Sequence, residues 1–495
     1  MRPRLPSRRS CASAFAAEGL PRETLAQLKR VVKLTSGMQL RPYQEEAVAG
    51  ILKYATANPT GRLLLVIPQG GGKTFVGATA VRLMAADHGL RALVAAHRRE
   101  IINQTYDSLL ESGIPGAVIG VVMAGDKRAN PGAPIQLASV DTLNRRNKPD
   151  ADLVLTDEAH RDASDSRRRL RALYPHAFRL GMTATPCRLD GRGLREDYDD
   201  MLVVSSPSQL IADGYLSAPL IYTVPDELLP CLKGVRTIAG DYDQGATEKA
   251  SNKRSLVGGI VDHWKRRAGG RRTVAFAVGT EHSRHIVSAF NAAGIPAAHL
   301  GGETCDADRK RILAALNAGD ISVVSTCDVL SQGWDLPSCK CAILARPTKS
   351  LVLHRQQGGR VMRPWNGVEP IILDHAGNVM RPGLGAPHSD QEWSLDAPKT
   401  ERRGEAPMKV CDCGAVIPAG QRVCNCCGTL LAEADRIPVE ESGELQRFLP
   451  KFTEDERATV RALVQAIANE RGCTAEWVDR VCAARFGESS VGRAA

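Results

Sequence analysis

Residues Arg62–Thr74 read RLLLVIPQGGGKT. Leu63–Ile67 is a short unbroken apolar run, the pattern of a strand buried on both faces of a parallel sheet. The run breaks into Gly70, Gly71 and Gly72 and closes on Lys73-Thr74. Glycines there let main-chain N–H groups approach an anion, and a helix opening near Thr74 turns its positive end toward it. Lys73 would reach the β- and γ-phosphates of a nucleotide, and the Thr74 hydroxyl would ligate Mg²⁺. The strict pattern has a glycine five residues before Gly72, where this chain has Ile67. A glycine turn alone is an ordinary turn, so the reading needs a partner site.

Asp157-Glu158-Ala159-His160 supplies one. It follows Leu153-Val154-Leu155, a second apolar run of the buried-strand kind. Two adjacent carboxylates at a strand end suit a divided task. Asp157 would hold Mg²⁺ through water, and Glu158 would polarise the water that attacks a phosphate. In isolation the same four residues are a helix start with solvated acids.

A chain of 495 residues is too long for one core and implies two or three domains. Its 43% hydrophobic and 4% aromatic content predicts aliphatic cores. The formal charge of +10, with a pI near 9.0, favours a polyanionic partner, though spread over this length the excess is mild. No run of about 18 apolar residues occurs, so no membrane helix is expected. The arginine-rich start has too short and broken an apolar part for a secretory signal, and residues 1–37 read as a basic, partly disordered lead. Five of the fourteen cysteines crowd into Cys411–Cys427, which suits a reducing cytoplasm and one metal site better than a disulfide framework.

Upstream of the glycine turn, Arg41-Pro42-Tyr43-Gln44 opens a helical pattern over Glu45–Tyr54. Its position places the Gln44 amide on the edge of an adenine, whereas alone it is a proline-initiated helix start. Downstream, a loop helix over Phe75–Asp87 and a strand at Arg91–Ala95 lead to His97, Arg98 and Arg99. Basic groups at a strand end suit a phosphodiester backbone, as do the hydroxyls of Ser139 and Thr142 beyond the strand Ile135–Ala138. Each of these residues singly would serve equally well on a solvated face. FRLGMTATP, Phe178–Pro186, sets Thr183 and Thr185 just past another strand, within reach of the acid pair.

After a linker around Asp213–Pro219 a second α/β series begins, with a strand at Thr273–Val278 and a helix at Thr280–Ala293. It carries no second phosphate loop. It does carry a loop with Gly333 and Asp335, and a basic run in which Arg360 and Arg363 lie three apart, as on one helical face. Guanidinium groups on a separate domain can clamp a γ-phosphate when the domains close. A basic surface helix is the plainer alternative.

Taken in order, RPYQ, PQGGGKT, AHRRE, SVDTL, DEAH, TATP, DVLSQGWD and QQGGRVMR resemble the successive motifs of superfamily 2 helicases, over roughly Met38 to Asp374. That resemblance implies an α/β fold with two tandem RecA-like parallel-sheet domains, at 38–215 and 216–381, with ATP in the cleft and nucleic acid crossing both. It gives the ATP-handling roles to Gln44, Lys73, Thr74, Asp157, Glu158, Gly333, Asp335, Arg360 and Arg363, with Arg41, Gln69 and the three glycines around the nucleotide. Gln69 departs from the pattern, which has Thr there. TATPCRLDGRGL, ADGYLSAP and ILDHAGNV are similar to the bacterial RadD-type DNA-repair helicases and related phage enzymes.

Residues 382–407, rich in Pro, Gly and charge, read as a linker. KVCDCGAVIPAGQRVCNCCG follows, and Cys411, Cys413, Cys424 and Cys427 would give tetrahedral Zn²⁺ four thiolates in a ribbon-like module at 408–430, with Cys426 spare. A metal-free remnant is the alternative. Glu454–Arg485, within a helical tail at 431–495, reads as two amphipathic helices anchored by Trp477, Val478, Val481 and Phe486, and is expected to dock on the chain's own core. The expectation for the whole is an ATP- and Mg²⁺-dependent DNA helicase or translocase in a bacterial or phage-infected cytoplasm at the nucleoid, acting on single-stranded or forked DNA. Its C-terminal region would serve a repair or replication partner, and no membrane is involved. The alternatives are an RNA helicase and an ATP-gated clamp or adaptor that binds without unwinding.

Overall fold

The computed structural model describes residues 40–87, 89–96, 99–143, 148–161, 165–188, 191–224, 229–230, 232, 235–238, 240–252, 254–327, 336–396, 408–410, 416–418, 446–448, 454–471 and 474–486. The basic lead at 1–37 lies outside them.

The opening stretch does form a strand, and the sheet is built around it. The first sheet contains β1 (Arg62–Val66), β2 (Ala92–Ala96), β3 (Ile119–Val122), β4 (Ile135–Ser139), β5 (Leu153–Asp157), β6 (Phe178–Thr183) and β7 (Asp200–Val203). Their spatial order is β3-β4-β2-β5-β6-β1-β7, and every pairing is parallel. Parallel strands need crossover connections that cover both faces, which is why β1, β2 and β5 are apolar almost without interruption. Among the crossovers and flanking helices are α1 (Pro42–Ala57), α2 (Lys73–Arg82) and α3 (Arg99–Glu111). The expected loop helix begins two residues earlier, at Lys73, and reaches Asp87 as expected, with its last five residues, Leu83–Asp87, in π-helical form.

Register decides what the sheet presents. Val66 pairs with Thr183, and Asp157 with Met182, so β1, β5 and β6 end at one level. The glycine turn, the acid pair and the TATP segment therefore emerge side by side at the C-terminal edge.

The second sheet runs β12-β13-β11-β14-β15-β8-β18. Its members are β8 (Leu220–Thr223), β11 (Thr273–Phe276), β12 (Ala297–Leu300), β13 (Val323–Thr326), β14 (Cys341–Leu344), β15 (Ile371–Asp374) and β18 (Gln446–Phe448). Two short hairpins stand apart, β9 (Thr237–Ile238) with β10 (Asp241–Tyr242), and β16 (Met408–Val410) with β17 (Val416–Pro418). All pairings in the second sheet are parallel except β18 against β8. That edge strand comes from the region read as helical tail. Helices α4 (Thr280–Ala292) and α5 (Leu351–Gly358) flank this sheet. In its core the Trp264 indole meets Phe290 edge-on, with ring centroids 5.5 Å apart, and donates to the Thr273 hydroxyl at 2.6 Å.

Residues 382–407 were expected to be a linker, yet residues 384–396 are an ordered strap returning to the first domain. Leu395 is buried among Leu64, Val66, Ala159, Leu194 and Tyr198. Its carbonyl accepts from Leu194 N at 2.7 Å and Arg195 N at 3.0 Å. Asp390 accepts from the Ser206 hydroxyl and Ser208 N, each at 3.0 Å. Proline and glycine hide this docking from a sequence reading, because its apolar anchors, Leu395 with Trp393 beside it and Leu384 and Ala386 before them, follow no period.

The tail forms a helical hairpin, α6 (Glu454–Arg471) and α7 (Ala475–Phe486), closed over Val464, Ala468, Val478 and Cys482. Val478 is an anchor as expected, with Trp477 and Val481 packed at its margin. No described helix is long and apolar enough to cross a membrane.

Candidate functional site

The turn after β1 is held from beneath by α1. Tyr43 donates its hydroxyl to the Gly71 carbonyl at 2.7 Å, and Gln44 Nε2 donates to the same oxygen at 3.1 Å. Gln44 Oε1 in turn accepts from Arg41 N at 3.0 Å, so the amide is spanned between helix start and loop. Arg41 lies over the Tyr215 ring, 4.6 Å from its centroid. Gly72 takes φ +80°, and a Cβ there would sit 2.5 Å from Gln44 Nε2. The loop therefore needs glycine for its backbone angle and for the closeness of α1.

Lys73 opens α2 and is 8% exposed, with its amine 3.4 Å from Gln69 Oε1. Burial pushes that amine below its ordinary value, against the opposing pull of Glu158 and Asp157; Arg360 and Arg363 push it down further. Five charges from two domains thus act on one another in a single cleft. Thr74 follows in the first turn, half-buried.

Asp157 closes β5, and its Oδ1 accepts from Glu158 N at 2.8 Å. Glu158 has φ +53°, a left-handed conformation that costs a residue with a Cβ about 1 kcal/mol or more. Burial raises its carboxyl, but His160, Lys73, Arg360 and Arg161 outweigh it and hold the group below the usual carboxylate range. His160 Nδ1 lies 3.3 Å from Glu158 Oε2 and 3.4 Å from the Thr183 hydroxyl, which accepts from Thr185 N at 3.1 Å. The TATP segment thus reaches the acid pair through an imidazole.

The second domain presents α5 and the turn beyond it. Gln356 Nε2 donates to Glu158 Oε2 across 3.3 Å. Arg360 and Arg363 do not share an α-helical face: α5 ends at Gly358, Arg360 sits in a 3₁₀ turn, Gly359–Val361, and Arg363 lies beyond it. A Cβ on Gly70 would come 3.5 Å from Arg363 Cγ, and one on Gly359 would come 2.6 Å from Gln69 Cγ. Arg363, lowered to about 10 by burial and by Arg41, therefore lies against the glycine turn.

The candidates for a nucleic-acid backbone divide. Arg99 begins α3, exposed, with Nη2 donating to the Ala124 carbonyl at 3.1 Å. Ser139 ends β4 in register with Ala96 of β2, and Thr142 follows in the helical turn Val140–Leu143. These three share the sheet edge that carries the glycine turn. His97, Arg98, Gly333, Asp335, Cys411, Cys413, Cys424 and Cys427 lie outside the described residues. Among the described residues no group of three or more His, Cys, Asp or Glu side chains forms a metal site, and none of the six described cysteines is in a disulfide.

Sequence reasoning gave no role to Tyr43, His160 or Gln356, although all three stand inside motifs that it quoted. Neighbourhood was the available signal; which atom each side chain reaches depends on how the two domains dock.

Residues 37–188 match the family model described as the type III restriction enzyme res subunit, and residues 252–364 match the helicase conserved C-terminal domain. A "51.5 kDa protein" of a Lactococcus phage (isolate 7-9) is 31% identical over 364 residues, covering 73% of this chain and 76% of the phage protein. A protein of Schizosaccharomyces pombe, named as mitochondrial ATP-dependent helicase irc3, is 29% identical over 362 residues, or 70% of this chain and 59% of its own length. The solved structure of the ATP-dependent type ISP restriction-modification enzyme LlaBIII bound to DNA shares the fold at 18% identity and a TM-score of 0.52, over 68% of this chain and 28% of that one. The chain thus spans three quarters of the phage relative, under two thirds of the yeast one and under a third of LlaBIII.

Proposed function

Because this chain belongs to the superfamily 2 helicases, a family of ATP-hydrolysing motors, we propose that it couples ATP hydrolysis to movement on, or remodelling of, DNA. The observation that carries the proposal is the meeting of Lys73, Asp157 and Glu158 from one domain with Arg360 and Arg363 from the other.

The residues fit Mg·ATP. The Gly70–Gly72 turn and the α2 N-terminus offer N–H groups to phosphate, and Lys73 is a buried cation with carboxylates opposite. Thr74 and Asp157 would hold Mg²⁺, and Arg41 and Gln44 would face the base. Glu158, kept ionised by its cationic neighbours, is the group to orient water. Arg360 and Arg363 offset the negative charge that builds during phosphoryl transfer. Bound ATP supplies the transferable γ-phosphoryl group. Gly359 packs on Gln69 and Arg363 on Gly70, so nucleotide entry requires the domains to part and hydrolysis requires them to close.

Arg99, Ser139 and Thr142, with His97 and Arg98, would grip a phosphodiester backbone, giving binding that weakens with salt and ignores sequence. DNA is favoured over RNA because the similar LlaBIII enzyme was solved on DNA and because several motifs are similar to RadD-type repair helicases. Repair, recombination or replication is the setting that follows, and the C-terminal hairpin is the element to meet a protein partner there. A structural zinc ion on Cys411, Cys413, Cys424 and Cys427 belongs to the same reading. Its support is their spacing and the β16–β17 hairpin that brackets the first two.

The deciding experiment is ATP turnover of the full chain with single-stranded, duplex and forked DNA and with matched RNA. Stimulation by DNA, greatest on single-stranded or forked substrates, is expected. Stimulation by RNA alone would reassign the substrate, and turnover indifferent to all of them would overturn the reading.

A further inference from the structure

Lys340 is buried, 2% exposed, at the foot of the central strand β14. Its backbone is fixed on both sides: Lys340 N donates to Arg272 O at 3.0 Å, and its carbonyl accepts from Ile371 N at 2.8 Å. Lysine is almost never fully buried unless paired, yet among the described residues this one makes no ion pair. Its amine instead donates to two main-chain carbonyls, Arg363 O and, at 3.4 Å, Val361 O.

The Val361 carbonyl ends the 3₁₀ turn that follows α5, and the Arg363 carbonyl lies two residues beyond it. The last carbonyls of a helix have no partner within it and carry its negative end, so a cation there is favoured. Burial pushes the amine down to about 8, with the Cys339 thiol as a small opposing influence. A threefold donor without a carboxylate, set on a rigid strand, suits the holding of a backbone and not the neutralising of an acid. The backbone held is that of Val361 and Arg363, which flanks and includes the two arginines facing the phosphate loop.

We infer that Lys340 is a positioning residue for phosphoryl transfer: by tying the Val361 and Arg363 carbonyls to β14 it fixes the angle at which Arg360 and Arg363 meet the phosphate loop. This rests on the reading of those arginines given above. A second tie works from the other side, where Ser217 N donates to Met362 O at 2.6 Å. With Lys340 lost, the turn would keep that one tie and could pivot about it.

The test uses Lys340→Met in the full chain, with Lys340→Gln beside it, Arg360→Ala as reference, and the double variant Lys340→Met/Arg360→Ala. DNA-stimulated ATP turnover is measured per folded molecule, counted by circular dichroism. Lys340→Met is expected to lower kcat about tenfold or more, with KM for ATP changed less than twofold, since a displacement of about 1 Å at reacting groups can remove two decades of rate. Lys340→Gln, which keeps an amide donor, is expected to retain more activity, and it decides the matter if the methionine variant does not fold. In the Arg360→Ala background the Lys340 change is expected to cost clearly less than it does in the parent chain, because only Arg363 is left to position. Normal kcat in the folded Lys340 variants, or a loss that multiplies in full on Arg360→Ala, would overturn the inference. Normal turnover in Arg360→Ala itself would instead overturn the reading of the arginines.

Discussion

Gln356 and Glu158 sit 198 residues apart in the chain and meet at 3.3 Å, amide to carboxylate, across the seam between the two domains. The acid proposed to orient water thus has one of its oxygens engaged by the domain that carries the arginines. Replacing Gln356 by Leu keeps the volume and removes the donor. ATP turnover should fall roughly tenfold, by analogy with a misplaced catalytic group, while the thermal midpoint stays within a few degrees. Steady-state kinetics beside a melting curve checks this, and unchanged turnover would make the contact incidental.

Lys73→Ala removes a buried cation facing Glu158 and Asp157. Turnover should drop by about a hundredfold or more, the size seen when one preorganised charge donor is deleted. If the variant hydrolysed ATP at the parent rate, the nucleotide would have to sit elsewhere.

Leu395→Ala should cost about 2–5 kcal/mol, the range for truncating a fully buried leucine. The leucine fills a cluster against Leu64 and Val66 of β1. Urea unfolding would read the loss. A change under half a kilocalorie would show that the strap adds no cohesion.

Acid should destabilise the fold before it protonates most carboxylates. Burial holds His282 and His354 near 4, below their ordinary 6.5. Between those values the unfolded chain binds more protons than the folded one, so stability is complete above about pH 6.5 and drains away toward pH 4. Asp374 works the other way: burial raises it to about 6, so its stabilisation is present at low pH and lost as pH rises through 6. Burial, with His263 beside it, holds His375 lower still, near 3, so with three histidines against one aspartate the denaturation midpoint should be lower at pH 5 than at pH 7.5. An equal or higher midpoint at pH 5 would contradict the assignment.

Much of this was legible in the residues. β1, β5 and β6 announced themselves as apolar runs, since parallel strands covered on both faces leave no alternation to disguise them. Lys73, Asp157 and Glu158 were legible because phosphate chemistry demands those types directly after such strands. Three features were not. The left-handed Glu158 carries no signature, because strain is imposed by the surroundings. Arg360 and Arg363 looked like neighbours on an α-helix, since spacing alone does not say where a helix tightens into a 3₁₀ turn. The strap at 384–396 passed for a linker because scattered contacts fasten it, among them Leu395, Trp393, Asp390 and Asp396, with no periodic pattern.

That strap changes what kind of object the protein is. The peptide leaves the first lobe near 213–219, comes back along 384–396, and departs again to lay β18 beside β8. Two lobes stitched three times do not behave as beads on a string. A single nick at 213–219 would leave both halves clasped by the return stitch.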